Sequence, residues 1–108
     1  MKYKSRMTKG IYLVTEEHIK REKEKARNLR HTHWWNRKIE DGICYYCRSK
    51  VGRNRLTMDH LVPLSRGGKS KKGNIVPACK ECNNRKKSML PYEWDDYLRA
   101  LSEDGSGS

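Results

Sequence analysis

The residues best suited to chemistry lie in the middle of the chain. Four cysteines form two pairs, Cys44/Cys47 and Cys79/Cys82, each with two residues between partners and 31 residues between the pairs. Two intervening residues let both thiolates of a pair reach one ion from a tight turn. Four thiolates fill a tetrahedral shell, so the chemistry expected of Cys44, Cys47, Cys79 and Cys82 is a closed, structural Zn²⁺ site. Two disulfides in a secreted mini-protein are the rival reading. No apolar leader follows Met1, which favours a reducing, cytoplasmic setting and free thiols. A redox-active pair would need a thioredoxin-like βαβ pattern, and none is legible.

Between and just after these pairs stand Asp59-His60, Asn74 and Asn83. An imidazole near neutrality can take a proton from water. A carboxylate and a carboxamide oxygen together suit a hard divalent ion such as Mg²⁺ or Mn²⁺, with positions left for water and substrate. Taken singly, each residue has an ordinary structural role: Asp59-His60 in a turn, Asn74 in a loop, Asn83 capping a helix. Their grouping between two metal knuckles is what points to a site.

Charge indicates the substrate class. Lys and Arg total 25 against 13 Asp and Glu, a net charge of +12 over 108 residues. Residues 1–38 and 39–90 each carry +8, while residues 91–108 carry −4. A body this basic favours a polyanion, and nucleic acid is the expected partner. Solvation alone is the plainer explanation of a lysine-rich surface. Only 34% of residues are hydrophobic and Phe is absent. A doubly wound nucleotide fold, a barrel and a membrane span are therefore excluded. With so small a core the fold needs a metal staple, because metal binding then supplies folding free energy.

The elements that must position these residues follow from pattern. Residues 1–14 read as extended or loose, with 11–14 adding a short strand. Thr15 is a helix N-cap, and Glu16 and Glu17 suit the first turn. Residues 16–38 lack Gly and Pro and read as one helix with a thin apolar stripe, its first half a solvated basic arm. Trp34 and Trp35 are expected to anchor its far end to the zinc module, and Gly42 to close it. Residues 53–58 and 75–78 read as strands, 61–73 as a loop broken by Pro63 and Gly67-Gly68, and 80–89 as a helix. Pro91 opens a last helix with Trp94, Tyr97, Leu98 and Leu101 on one face. His18, His31 and His33 read as solvated, and the closing Gly-Ser-Gly-Ser as a flexible remnant of cloning. The expected division is a basic arm and helix over 1–38, a metal-stapled unit over 39–101 and a flexible tail over 102–108.

Three segments carry a family resemblance: C-Y-Y-C at 44–47, M-D-H-L-V-P-L-S-R-G-G at 58–68 and G-N-I-V-P-A-C-K-E-C-N-N-R-K at 73–86, led by I-E-D-G-I-C at 39–44. In order and spacing the chain resembles the HNH nucleases, over about residues 39–90. The resemblance implies an α+β fold, a small ββα-metal (His-Me finger) domain with a four-cysteine zinc site and flanking helices. It also implies a metal-dependent DNA endonuclease. His60 takes the place of the general base, Asp59 of a catalytic-metal ligand and Asn74 of the Asn that braces the loop. Asn83 stands at the last motif position, where many members have His, and Asn84 is an adjacent alternative.

Arg66, Lys69, Lys71 and Lys72 of the loop, and Arg85, Lys86 and Lys87 beside the metal, are the expected phosphate contacts. Two other readings fit the same charge and cysteines: a catalytically silent zinc module that binds DNA, and a subunit of a larger phage or restriction assembly. A homodimer would allow both strands to be cut. A bacterial or phage-encoded cytoplasmic protein without membrane association is expected.

Overall fold

The computed structural model describes residues 5–8 and 12–106, with side chains from Val14 to Glu103. The loose character expected of residues 1–4 and 9–11, and the fate of 107–108, lie outside the described residues. The element order is β1 (Ser5–Thr8), β2 (Tyr12–Thr15), α1 (Glu16–Leu29), α2 (His33–Lys38), β3 (Leu56–His60), β4 (Ile75–Cys79), α3 (Lys80–Lys86) and α4 (Pro91–Ser106). β1 and β2 pair antiparallel, as do β3 and β4, the latter in a register that sets Leu56 opposite Cys79 and His60 opposite Ile75.

Residues 16–38 form two helices rather than one. Thr32 ends the first by donating its hydroxyl to the Leu29 carbonyl (2.7 Å) and starts the second by accepting from the Trp35 amide (3.4 Å). A β-extended Thr that caps the next turn outweighs helix propensity there. Thr15 caps α1 as expected, accepting from the His18 amide at 3.0 Å. α1 is exposed over most of its surface, yet Glu22 and Ala26 are buried, so the arm is docked and not wholly solvated.

Gly42 does not close a helix. It leads into the first cysteine knuckle with φ +72°, where a Cβ would meet the Gly52 Cα at 2.8 Å. The Val51 amide then donates to the Gly42 carbonyl and the Tyr45 amide to the Pro77 carbonyl, both at 2.8 Å, which ties the knuckle to β4. The strand expected at 53–58 starts three residues later, because residues 53–55 form a 3₁₀ turn.

The core beneath β3 and β4 is Cys44, Leu56, Ala78, Cys79 and Cys82, with Ile39, Tyr46 and Val51 packed on it. Three of its five members are cysteines, so the staple and the core are one structure. Pro91 opens α4 as expected, Glu93 accepts from the Leu90 amide at 2.8 Å, and the helix continues past residue 101 to Ser106. Among the described residues no helix is long and apolar enough to cross a membrane.

Candidate active site and metal centre

The four thiols converge. All four sulfurs lie within 4.8 Å of one another, with Cys47 and Cys79 3.9 Å apart. Metal–sulfur bonds of about 2.3 Å in a tetrahedron set sulfur–sulfur distances of about 3.8 Å, so the cluster fits a zinc site. Burial pushes the Cys79 and Cys82 thiols upward, whereas hydrogen bonds from Ser49 draw exposed Cys47 down to about 6. A metal must displace the protons of the buried pair, which ties its affinity to pH.

β3 and α3 meet face to face beside this cluster. Thr57 and Asp59, two residues apart, share one side of the strand. Asn83 and Lys86, three apart, share one side of α3. Thr57 donates its hydroxyl proton to the Ala78 carbonyl (2.8 Å), so it accepts from the Asn83 Nδ2 (2.8 Å). This orients the carboxamide with its NH₂ on Thr57, so that Oδ1 is the atom that could serve as a ligand.

Asp59 is buried, accepts from the Tyr46 hydroxyl at 2.5 Å and pairs with the Lys86 ammonium at 3.4 Å. Desolvation, then the Asp59 hydrogen bond and charge, raises the Tyr46 phenol, so the hydroxyl stays a donor. Asp59 and Asn83 both carry oxygen donors, the type that a hard cation takes, and the Asp59 carboxylate is already paired with the Lys86 ammonium. Among the described residues the four cysteines are the only group of three or more His, Cys, Asp or Glu placed to hold an ion. A catalytic metal here would therefore have a lean protein shell.

His60 ends β3. Its Nε2 lies 2.8 Å from the Ser70 hydroxyl. Burial lowers its pKa, opposed by the charges of Asp59 and Glu22, so the ring is held toward its neutral form. Asn74 braces the loop after β3. Its Oδ1 accepts from the Val62 amide (2.9 Å), and its Nδ2 donates to the Val62 (3.1 Å) and Lys69 (2.9 Å) carbonyls.

The expected phosphate contacts divide. Lys69, Lys71, Lys72, Arg85 and Lys87 are exposed. Lys86 is not: it is fully buried, with its ammonium also on the His60 (3.2 Å) and Leu61 (3.4 Å) carbonyls. Arg66 is held by a two-pronged pair with Glu93 (3.1 and 3.2 Å) and by the Ser88 carbonyl (3.1 Å), so it fastens the loop to α4. His18 is not solvated either, because its Nε2–H donates to the Gly68 carbonyl at 2.8 Å. Trp35 is a buried anchor as expected. Trp34 is half-buried, with the Lys38 and Lys72 ammonium groups each 5.8 Å from its ring.

The sequence reading missed Tyr46, Thr57, Ser70 and Glu22. Tyr46 carried a signal, an aromatic hydroxyl inside a knuckle. Glu22 carried none.

The profile of the HNH endonuclease family matches residues 44–97, half of the chain. The chain belongs to the HNH endonuclease family. The matched span holds both cysteine pairs, β3, β4 and α3, so the domain is of the ββα-metal type. A segment of 55 residues is 38% identical to the CRISPR-associated endonuclease Cas9 of Actinomyces naeslundii, covering 50% of this chain and 5% of that protein. The chain thus corresponds to a small part of that relative's length. Helix α1 lies outside the span that the HNH profile matches, while Gly68 and Ser70, which it contacts, lie within it.

Proposed function

We propose that the protein is a metal-dependent DNA endonuclease in which His60 is the general base. The observation that carries this reading is the β3–α3 contact, which sets Asp59 against the Asn83 and Lys86 face with His60 as the adjacent strand residue. In the proposed reaction the neutral imidazole of His60 takes a proton from water. The water oxygen bonds to phosphorus, one existing P–O bond breaks, and the leaving oxygen is protonated from solvent.

Asp59 and Asn83 would hold the divalent ion, Mg²⁺ or Mn²⁺, and Asn74 keeps the loop beside His60 in place. When bound, the ion offsets charge on the phosphate and the leaving oxygen. Tyr46 and Lys86 hold the Asp59 carboxylate in place. Cys44, Cys47, Cys79 and Cys82 would hold Zn²⁺ and so join β4 and α3 to the first knuckle. Exposed Lys69, Lys71, Lys72, Arg85 and Lys87 supply phosphate contacts. A cytoplasmic, bacterial or phage setting goes with this reading.

The test is cleavage of supercoiled, linear and single-stranded DNA, and of RNA, with Mg²⁺ or Mn²⁺. Wild-type protein is expected to cut DNA. His60→Ala is expected to lose about 10²–10⁴-fold in rate while remaining folded, zinc-loaded and able to bind. Cleavage by His60→Ala at the wild-type rate would overturn the assignment of the base. No cleavage of any DNA by wild-type protein would favour the silent binding module.

A further inference from the structure

The hydroxyl beside His60 belongs to a residue gripped from outside the matched nuclease segment. Ser70 is buried in the loop after β3. Its amide donates to the Glu22 carboxylate at 2.6 Å, and its hydroxyl lies 2.5 Å from the Glu22 backbone carbonyl. The other carboxylate oxygen of Glu22 pairs with Lys25 at 3.3 Å. One residue of α1 thus holds both the backbone and the side chain of Ser70.

We infer that Ser70, clamped by Glu22, is a positioning residue for His60: it fixes the ring with its proton on Nε2 and makes α1 part of the working site. A hydroxyl has one proton and two acceptor positions. Two oxygens 2.5 Å apart need a hydrogen between them, and a carbonyl cannot supply it. The Ser70 proton is therefore committed to the Glu22 carbonyl. Toward His60 the hydroxyl presents a lone pair, so Nε2 must bring the proton. In the neutral ring the unprotonated nitrogen is then Nδ1, the atom left to accept a proton from water. The inference rests on His60 as the base, and it adds which nitrogen acts and what holds the ring.

The test uses the full chain, loaded with zinc and labelled with ¹⁵N at its four histidines. The His60 signals are those lost in His60→Ala. In wild-type protein with the ring neutral, Nε2 is expected to read as protonated and Nδ1 as unprotonated. The opposite tautomer, or an even mixture, would overturn the inference whether or not any variant folds.

Ser70→Ala is expected to lose the fixed tautomer and to lower kcat by about 10–100-fold, the scale seen when partners that orient a metal-bound imidazole are removed. KM should stay within about twofold, because substrate contacts are untouched. Ser70→Thr, which restores the hydroxyl, is expected to recover both readings. If Ser70→Ala keeps its tautomer and its kcat while His60→Ala is inactive, the clamp is structural and only this inference fails. If His60→Ala is fully active, it is the assignment of His60 as the base that fails, and if wild-type protein cuts no DNA it is the nuclease reading.

Discussion

Gly68 sits where the chain after β3 doubles back, and an added Cβ would lie 1.8 Å from the Val62 carbonyl oxygen. That overlap is with backbone already held by Asn74, so it cannot be relieved by a side-chain rotation. Gly68→Ala is expected to destabilise the fold by roughly 3 kcal/mol or more, measured by denaturant unfolding. The breaker Gly67-Gly68 was legible in the sequence as a loop, but the reason for Gly68 was not, since Val62 and Asn74 become its neighbours only in the fold.

Glu22 makes the same point more strongly, because its partner Ser70 is 48 positions away. The Ser70 amide, and then Lys25, hold its carboxyl below the ordinary value of 4.5 despite burial. A carboxyl lowered in the folded state stabilises above its unfolded pKa, and this contribution is lost as pH falls through the folded value. Acid titration of stability from neutral pH to below 4.5 should therefore show a smaller loss in Glu22→Gln than in wild type. An equal acid loss in both would show that the carboxylate contributes nothing.

The cysteine knuckles govern the elements around them. Cys44, Cys79 and Cys82 are core residues, and few other apolar side chains fill the space between β3, β4 and α3. If an ion joins the four thiols, its binding free energy is folding free energy. Removal of the metal by a strong chelator is expected to abolish cooperative thermal unfolding and reduce helical circular dichroism. Cys82→Ser should do the same without chelator. A metal-free protein with an unchanged melt would show that the core suffices alone.

At this scale the sequence was a good guide wherever spacing carried the information: the cysteine pairs, the β3–β4 hairpin, α3, and Pro91 at the start of α4. It misplaced boundaries where a side chain competed with propensity. Thr32 splits a segment of strong helix formers by capping, and the 3₁₀ turn at 53–55 delays β3. Both effects depend on local hydrogen bonds that composition does not encode.

Over the whole molecule, charge is divided by position and not only by sign. Two of the seven cations expected to meet phosphate are committed internally, Lys86 to Asp59 and Arg66 to Glu93. Of the exposed remainder, Lys69, Lys71 and Lys72 cluster on the loop and Arg85 and Lys87 lie at the end of α3, with a second basic surface on α1 at Lys20, Arg21 and Lys23. α4, by contrast, carries Glu93, Asp95, Asp96 and Glu103, which makes that end a poor host for a polyanion. Counterion release gives each neutralised phosphate of duplex DNA a slope of about −0.9 in log affinity against log salt. If each loop lysine meets one phosphate, changing Lys69, Lys71 and Lys72 together to Ala should flatten that slope by about 2.7. The matching change of Lys20, Arg21 and Lys23 reads whether α1 also lies along the duplex. Arg66→Ala should instead lower the unfolding midpoint and leave the slope of the folded protein nearly unchanged, because its guanidinium serves Glu93. The comparison is made by DNA titrations at several salt concentrations with each variant shown to be folded. A slope unaltered by the loop triple variant would mean that these lysines are a solvated face and that DNA approaches the site from another side.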